Sequence, residues 1–480
     1  MILTQITIKN FRCIDSLLFN IEPIDGGNTY TLLGINESGK SSFLKAISLI
    51  DNGEADFPQD FFDDQKPIEL CLKYKMSDTN IKDFKIDLFD IYKFDKSIIQ
   101  EIDIEEIKVT VLCPPALNSA KQEIVDAKFK KSIFSNYTLI DEIAVKKEKN
   151  VLPQDDLDLR SYFNKNLQNY FWDLSHKITF WKSSPKYLLL DEIDLEIFSN
   201  SPKSISLPLY NCFELSGIKD IKKQVAKLTS PVARQNLSDL LSESVTKHIN
   251  KVWPEHLISI KFNINNYKLT FLVEDNDVKF QSKTINQRSD GFKQFISFLL
   301  TLSAENLNDK LSNAILLLDE PETHLHPSAQ LNLKDELIKI SKNSNNNIVF
   351  FATHSNYMID KDQIDRCYKV IKKKNHTTIF EKIERTHSSY AEVNYEVFGV
   401  LTTDYHNELY GFIEDDDKSK LNALPKIKKW YNEKKKQEED VSLCTYVRHS
   451  IHHPENTSNK KFTDAELKSS IKTLRNFKYP

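Results

Sequence analysis

The sequence predicts an α/β fold, a mixed sheet flanked by helices, with a helical insertion and a small all-α C-terminal region. Three observations carry that reading. An apolar strand, Tyr30-Thr-Leu-Leu, runs into Gly34-Ile-Asn-Glu-Ser-Gly-Lys-Ser41 and then into a helical stretch over 43–50. Two continuous apolar runs, Asn313–Glu320 and Asn347–Ala352, have the pattern of parallel strands buried on both faces. Beyond residue 400 the chain becomes charged and helix-forming.

The chain has 480 residues, with 65 Lys+Arg against 69 Asp+Glu and a formal net charge of −4. A length of this order implies about three structural units. The near balance excludes a nucleic-acid coat held by bulk attraction, though not a local basic face. Six cysteines without a C-x-x-C pair argue against a disulfide framework or a cysteine zinc site and fit a reducing compartment. Met1–Ile8 alternates apolar and polar like a strand, unlike a signal peptide, and no apolar run approaches membrane-spanning length. The expectation is a cytoplasmic protein with no membrane partner.

Residues 34–41 form G-x-x-x-x-G-K-S in its required context, strand before and helix after. The glycines let backbone N–H groups curl around phosphate oxygens, and the helix N-terminus favours negative charge. Gly34, Asn36, Ser38, Gly39, Lys40, Ser41 and Ser42 are therefore candidate nucleotide-binding residues. Lys40 is expected on the β- and γ-phosphates of ATP and the Ser41 hydroxyl on Mg²⁺. Far downstream, the apolar run Ile315-Leu-Leu-Leu318 ends in Asp319-Glu320, where Asp319 is placed to hold Mg²⁺ and Glu320 to polarise the attacking water. The run 347–352 ends in Thr353-His354-Ser355. His354, at a strand's C-terminal edge, suits a γ-phosphate sensor. A second string, Tyr187-Leu-Leu-Leu-Asp191-Glu192, mimics the carboxylate strand but has no His-bearing strand after it, and reads as an insertion strand or loop.

In order, these motifs resemble the ABC-type ATPases of the OLD/RecF/SMC-like branch, found in bacterial DNA-repair and anti-phage proteins. The resemblance is carried by Asn10-Phe-Arg12, Gly34–Ser42, Arg288-Ser-Asp-Gly-Phe-Lys-Gln294, Leu318–Pro327 and Ala352–Ser355. It implies an ABC-ATPase mixed sheet and a nucleotide contact from Arg12. It also implies a signature motif at 288–294 whose Ser289 and Gly291 meet ATP held by a partner chain, hence a homodimer or higher homo-oligomer. On its own, Ser-Asp-Gly before an apolar helix reads as a cap and turn. The family's glutamine ligand has only a weak candidate in Gln59.

The interval between the loop and the signature alternates strand-like pieces (68–74, 107–112) with acidic loops, then carries helical segments 157–174 and 218–252, the latter interrupted at Pro231. Residues 258–273 read as a hairpin with Asn265-Asn266 at its turn. Heptads are not sustained, so a long coiled-coil arm is not expected. The expected organisation is an N-terminal ATPase lobe over 1–150, a helical insertion over 151–255, a C-terminal ATPase lobe over 256–400 and a helical region over 401–480.

Residues 418–440 read as helix-forming, with Lys434–Lys436 as a solvated face. Val441 to Asn456 contains Arg448-His-Ser-Ile-His-His453, on a helix that stops at Pro454. This string resembles the R-x4-6-H motif of HEPN ribonucleases. That likeness implies that Arg448 holds a scissile phosphate and His453 moves a proton, with RNA as the substrate. A metal reading of His449, His452 and His453 and a partner-docking cap are the alternatives. Three functions follow: an ATPase gating its own HEPN-like RNase, similar to ABC-fused anticodon nucleases; a regulatory ATPase with a separate nuclease subunit, similar to Septu-type systems; or a RecF-like DNA-repair ATPase. In each, nucleic acid is substrate or trigger.

Overall fold

A computed structural model describes residues 1–51, 54–90, 96–116, 121–129, 137–140, 143–146, 171–172, 175–252, 257–275, 281–288, 290–305, 312–323, 325–342, 346–373, 377–383 and 388–479. The chain divides into two compact units, Met1–Asp360 with Asp365–Ile383, and Lys361–Ile364 with Glu384–Pro480. The expected C-terminal region, 401–480, lies inside the second unit.

The first unit is built on a six-stranded mixed sheet. Its order is Thr378–Lys382, Cys367–Lys372, Asn28–Leu33, Ile348–Thr353, Ala314–Asp319 and Lys177–Lys182. All neighbours are parallel except the first pair. The central strands are apolar on both faces because both faces are covered: every residue of Ile348–Thr353 is buried. Register then fixes where the loops emerge. Leu33 pairs with Thr353, and Ala352 with Asp319, so three strands end side by side at one edge. The segment expected as a helical insertion contributes the sixth strand, Lys177–Lys182, whose β-branched and aromatic residues suit a sheet edge.

A five-stranded antiparallel sheet lies over the first, in the order Ile14–Asn20, Ile2–Phe11, Ile68–Lys75, Ile104–Cys113 and Gln122–Phe129. The helix Lys40–Ser48 packs between these layers. Phe43 is fully buried there, with its ring 4.9 Å from Phe380, 5.3 Å from Phe350 and 5.5 Å from Phe19. The apolar side of the helix that starts at Lys40 is thus anchored in the joint core of two sheets.

A separate core holds the insertion. Leu237, Leu241, Val245 and Ile249 recur at four-residue spacing on helix Pro231–Val252, and all are buried against strand Ile258–Asn265. The helical segment 218–252 is interrupted as expected: Ile221–Val225 is a short helix of its own, and Pro231 opens the next, as its fixed φ allows. The helical segment expected over 157–174 lies outside the described residues except for Phe171 and Trp172, which are helical. The hairpin partner is Lys268–Asp275, and Asn265 pairs with Lys268. The turn is therefore Asn266-Tyr267, one residue later than expected; both have positive φ, 52° and 66°, as a two-residue hairpin turn demands. The Asp191-Glu192 string is loop followed by a short strand, Glu192–Asp194, paired with Lys268–Asp275 in this second core. It takes no part in the central sheet.

The second unit contains helices Tyr390–Phe398, Thr403–Asn422, Leu443–His452 and Asp464–Lys478. Tyr405, Leu409, Val447, Ile471 and Leu474 form its core. It is not all-α. The expected helix over 418–440 stops at Asn422, and Lys428–Asn432 pairs with Gln437–Val441 as a hairpin. The alternation of Lys428-Lys-Trp-Tyr buries Trp430 against Tyr446, with ring centroids 5.6 Å apart, and Lys434–Lys436 falls in the connecting turn. Thr463 and Glu466 form a capping box that starts the last helix.

Phe43→Ala should destabilise the first unit by about 3–5 kcal/mol, because the two sheets cannot close over the void. Urea denaturation followed by tryptophan fluorescence would measure this, and a loss below about 1 kcal/mol would contradict the shared-core description.

Candidate functional site

Three loops meet at the edge where Leu33, Asp319 and Thr353 end. The first is the phosphate-binding loop. Gly39 has φ +112°, and a Cβ there would lie 2.5 Å from Thr378 Oγ1. A Cβ on Gly34 would stand 2.5 Å from the Val370 carbonyl oxygen. Both positions therefore require glycine. The Thr378 hydroxyl donates to the Ser38 carbonyl at 2.8 Å and pins the loop from the neighbouring edge strand.

Lys40 opens the helix with its side chain largely buried. Its Nζ donates to the carbonyls of Gly34 (2.9 Å) and Ile35 (3.1 Å), and lies 3.0 Å from His354 Nε2. Burial lowers the Lys40 pKa, while Glu320, Asp319 and Glu322 oppose that shift. Burial also lowers the pKa of His354, and the Lys40 charge lowers it further. A neutral His354 with its Nε2 lone pair towards Lys40 satisfies both groups. Glu320 Oε1 lies 3.4 Å from the same nitrogen. Glu320 has φ 51°, and its amide donates to the Ala352 carbonyl at 3.0 Å, which turns the chain sharply at the end of its strand.

Ser41 Oγ donates to Asp319 Oδ1 at 2.9 Å. Burial raises the Asp319 pKa, and the Ser41 hydrogen bond with the Lys40 and Lys182 charges offsets it only in part. Two hard oxygen donors in contact, one of them a poorly solvated carboxylate, fit Mg²⁺ better than a soft metal. Among the described residues no group of three or more His, Cys, Asp or Glu is arranged to hold a metal, which leaves His449, His452 and His453 without the ligand set a metal reading needs.

A cavity of about 730 Å³ opens at this edge. Arg12, Asn36, Ser38, Gly39, Lys40, Ser41, Ser42, Glu320 and His354 line it, with Gly34 and Asp319 joined through the bonds above. Arg12 is held there by Asp60, whose carboxylate is fully buried and accepts from Arg12 Nε at 2.7 Å. Gln59 is exposed and does not line the cavity. Three lining residues escaped sequence reasoning: Cys13, Glu37 and Lys372. Lys372 ends a strand outside every motif, and only the sheet order brings it here. Glu322 was also missed. It is 5% exposed, accepts a hydrogen bond from Thr353 Oγ1, and its pKa is raised to about 7 by burial.

The remaining expected residues lie elsewhere. Ser289 is outside the described residues. Gly291 is buried in the first turn of helix Asp290–Glu305 and does not line the cavity of its own chain. Arg288 beside it binds Asp275 through two nitrogens at 2.6 and 2.9 Å and stacks on Phe292 at 4.1 Å. In the second unit, Arg448 reaches Asn407 Oδ1 at 3.2 Å and lies 5.0 Å from the Tyr410 ring centre. His453 instead contacts Glu455 (3.3 Å) and lies near Trp430. Five residues apart, the two side chains point to different neighbours. Among the described residues no helix is long and apolar enough to cross a membrane.

A family model described as an AAA ATPase domain matches residues 1–252 and 214–359. The chain is 26% identical over 168 residues to an uncharacterized protein of Methanocaldococcus jannaschii, covering 34% of this chain and 41% of that one. It is 26% identical over 201 residues to the Old nuclease of Escherichia phage P2, covering 38% of this chain and 34% of that one. The match thus spans well under half the length of either relative. Among solved structures, the SMC head bound to the C-winged helix domain of ScpA is 15% identical, covering 80% of this chain and 98% of that one, with a TM-score of 0.42. The SMC head domain from Thermotoga maritima is 13% identical, covering 80% and 100%, with a TM-score of 0.33.

Burial of Glu322 has a measurable consequence for stability. Its folded pKa of about 7 lies above the ordinary 4.5, so its contribution is fully present below pH 4.5 and is lost as pH rises through 7. A shift of this size corresponds to roughly 3 kcal/mol. Glu322→Gln has no proton to lose. Its stability relative to wild type should rise between pH 4.5 and 7 and level off above, as urea denaturation at a series of pH values would record. A pH-independent difference would show that the carboxyl is not desolvated.

Proposed function

Because the chain belongs to the AAA ATPase domain family, we propose that it binds and hydrolyses MgATP at this cavity and uses ATP occupancy to control a nucleic-acid-damaging effector in anti-phage defence. The observation that carries the ATPase reading is the convergence of Lys40, Ser41, Asp319, Glu320 and His354 from three separate loops within hydrogen-bonding reach.

The phosphates of ATP take the place of the Gly34 and Ile35 carbonyls as partners of the Lys40 ammonium, and the loop amides of 36–41 cradle them. Ser41 and Asp319 are the residues that would hold Mg²⁺, which would supply charge neutralisation for the phosphates. Glu320 orients the attacking water. Burial is the main cause that lowers the His354 pKa and Lys40 adds to it, so turning Lys40 to phosphate relieves part of that depression and brings phosphate charge to the imidazole. It can then take up a proton and donate to the γ-phosphate. Arg12, braced on Asp60, supplies a further cation at the rim. Gly291 and Ser289 of a second copy complete the site across a homodimer, since Gly291 stands away from the cavity of its own chain.

The link to nucleic acid rests on the likeness to a protein named as a nuclease. The separate contacts of Arg448 and His453 favour an effector on another chain, with the second unit as its docking element, over a self-contained RNase.

Lys40→Ala should abolish nucleotide binding in a fluorescent-ATP titration. Glu320→Gln should bind ATP normally yet hydrolyse it on the order of 100-fold more slowly; hydrolysis at the wild-type rate would remove Glu320 as the base. To locate the effector, wild type and Arg448→Ala/His453→Ala are incubated with total tRNA in EDTA and, in parallel, with Mg²⁺ and ATP. Intact tRNA in every lane is the expected result. Discrete fragments from wild type alone would establish the chain itself as the RNase.

A further inference from the structure

We propose that Glu322 is a positioning residue for hydrolysis: through Thr353 it ties the loop that carries Glu320 to the turn that carries His354. The proposal rests on the ATPase reading and concerns a residue outside the motif's assigned pair. Thr353 is fully buried, and its hydroxyl donates to Glu322 Oε1 while accepting from the Ser355 amide at 2.9 Å. One buried hydroxyl therefore closes the turn around His354 and anchors it to the neighbouring loop. The far side of that turn is held as well. Ser355 Oγ donates to Gln330 on helix Pro327–Lys342 and caps the short helix Asn356–Met358.

Glu322 is fixed equally firmly at its own end. Its carbonyl accepts from the Leu325 amide at 2.9 Å, and the Thr323 amide donates to the Glu320 carbonyl at 3.2 Å. Two backbone bonds thus tie Glu320 to Thr323 and Glu322 to Leu325. Glu320 and His354 stand on two independent loops, and parallel pairing stops at Asp319 and Thr353. Beyond those residues the Glu320 amide to Ala352 carbonyl bond and the Glu322–Thr353 bond join the two segments. A carboxyl is poorly suited to this depth on grounds of stability alone, because burial opposes its charge. A hydrogen-bond acceptor long enough to cross from one loop to the other is what the position uses. Glutamine offers the same reach and the same acceptor oxygen, whereas leucine offers only volume.

The test compares wild type with Glu322→Gln, Glu322→Leu and Thr353→Val, in the full chain. Two quantities are read: steady-state ATP turnover, and the titration midpoint of the His354 imidazole by NMR, assigned with His354→Ala. Glu322→Leu and Thr353→Val should each lower kcat about tenfold or more, with KM within about twofold of wild type, since a loosened pair is misplaced without loss of phosphate binding. Combining them should add little, as both cut one connection. Glu322→Gln should keep kcat within about threefold. In the same two damaging variants the His354 midpoint should rise towards its ordinary value, as the ring leaves Lys40, while in Glu322→Gln it should stay low.

Wild-type kcat and an unmoved His354 in both Glu322→Leu and Thr353→Val would overturn the proposal. So would a Glu322→Gln enzyme as impaired as Glu322→Leu, which would make the carboxylate a chemical participant. Thr353→Val keeps the test open where Glu322→Leu does not fold. Wild-type turnover no higher than that of Lys40→Ala would overturn the ATPase reading instead, and the His354 titration, which needs no turnover, would still decide the role of Glu322.

Discussion

The site depends on one constraint, the register of three parallel strands. Asn28–Leu33, Ile348–Thr353 and Ala314–Asp319 pair so that Leu33, Thr353 and Asp319 stop at a common edge. A slip of one residue in any of them would turn its side chains to the opposite face and bury a carboxylate or expose a core residue. The uninterrupted burial of Ile348–Thr353 makes such a slip expensive. The contacts of Ser41 with Asp319 and of Lys40 with His354 are therefore set by strand packing.

That edge concentrates charge on groups that burial partly desolvates. Lys40 stands among Glu320, Asp319 and Glu322, and burial disfavours the charged form of Lys40, Asp319 and Glu322 alike. The protein holds this arrangement by matching each polar group to a specific partner: Lys40 to two carbonyls and a neutral imidazole, Asp319 to Ser41, Glu322 to Thr353. Preorganised dipoles of this kind act most strongly in a poorly hydrated cavity. The same burial makes each partnership costly to break.

The residues of the site were legible where local chemistry forces them into consecutive positions. Gly34 and Gly39 announce themselves because no other side chain fits, and Asp319-Glu320 because a run of four apolar residues precedes them. Lys372, Asp60 and Thr378 were not legible, since only sheet order and a distant turn bring them to the loop. Glu322 was in plain view within Asp-Glu-Pro-Glu, but nothing in the string says which way it points. In the fold, Lys177–Lys182 was lost because a six-residue apolar-polar mixture inside a helix-rich interval gives no period to count. The hairpin 428–441 was read as helix because Lys, Glu and Gln favour helices, and burial of Trp430 against Tyr446 overrode that preference.

Arg288 carries a consequence of another kind. Its guanidinium is clamped by Asp275, the last residue of a strand in the insertion's own core, and lies 4.1 Å from the ring centre of Phe292 on the helix that bears Gly291. The segment that resembles a signature motif is therefore tied to the insertion at Arg288 and to the end of the sheet's edge strand at Gln294, which donates to Ser183 at 2.6 Å. Strand Lys268–Asp275, its partner Ile258–Asn265 and the packed helix Pro231–Val252 share one core, and the clamp sits at its end. The helix that bears Gly291 is thereby tethered to the insertion's core at its first turn, while Phe298 further along packs on Trp181 of the nucleotide sheet, with ring centroids 5.4 Å apart.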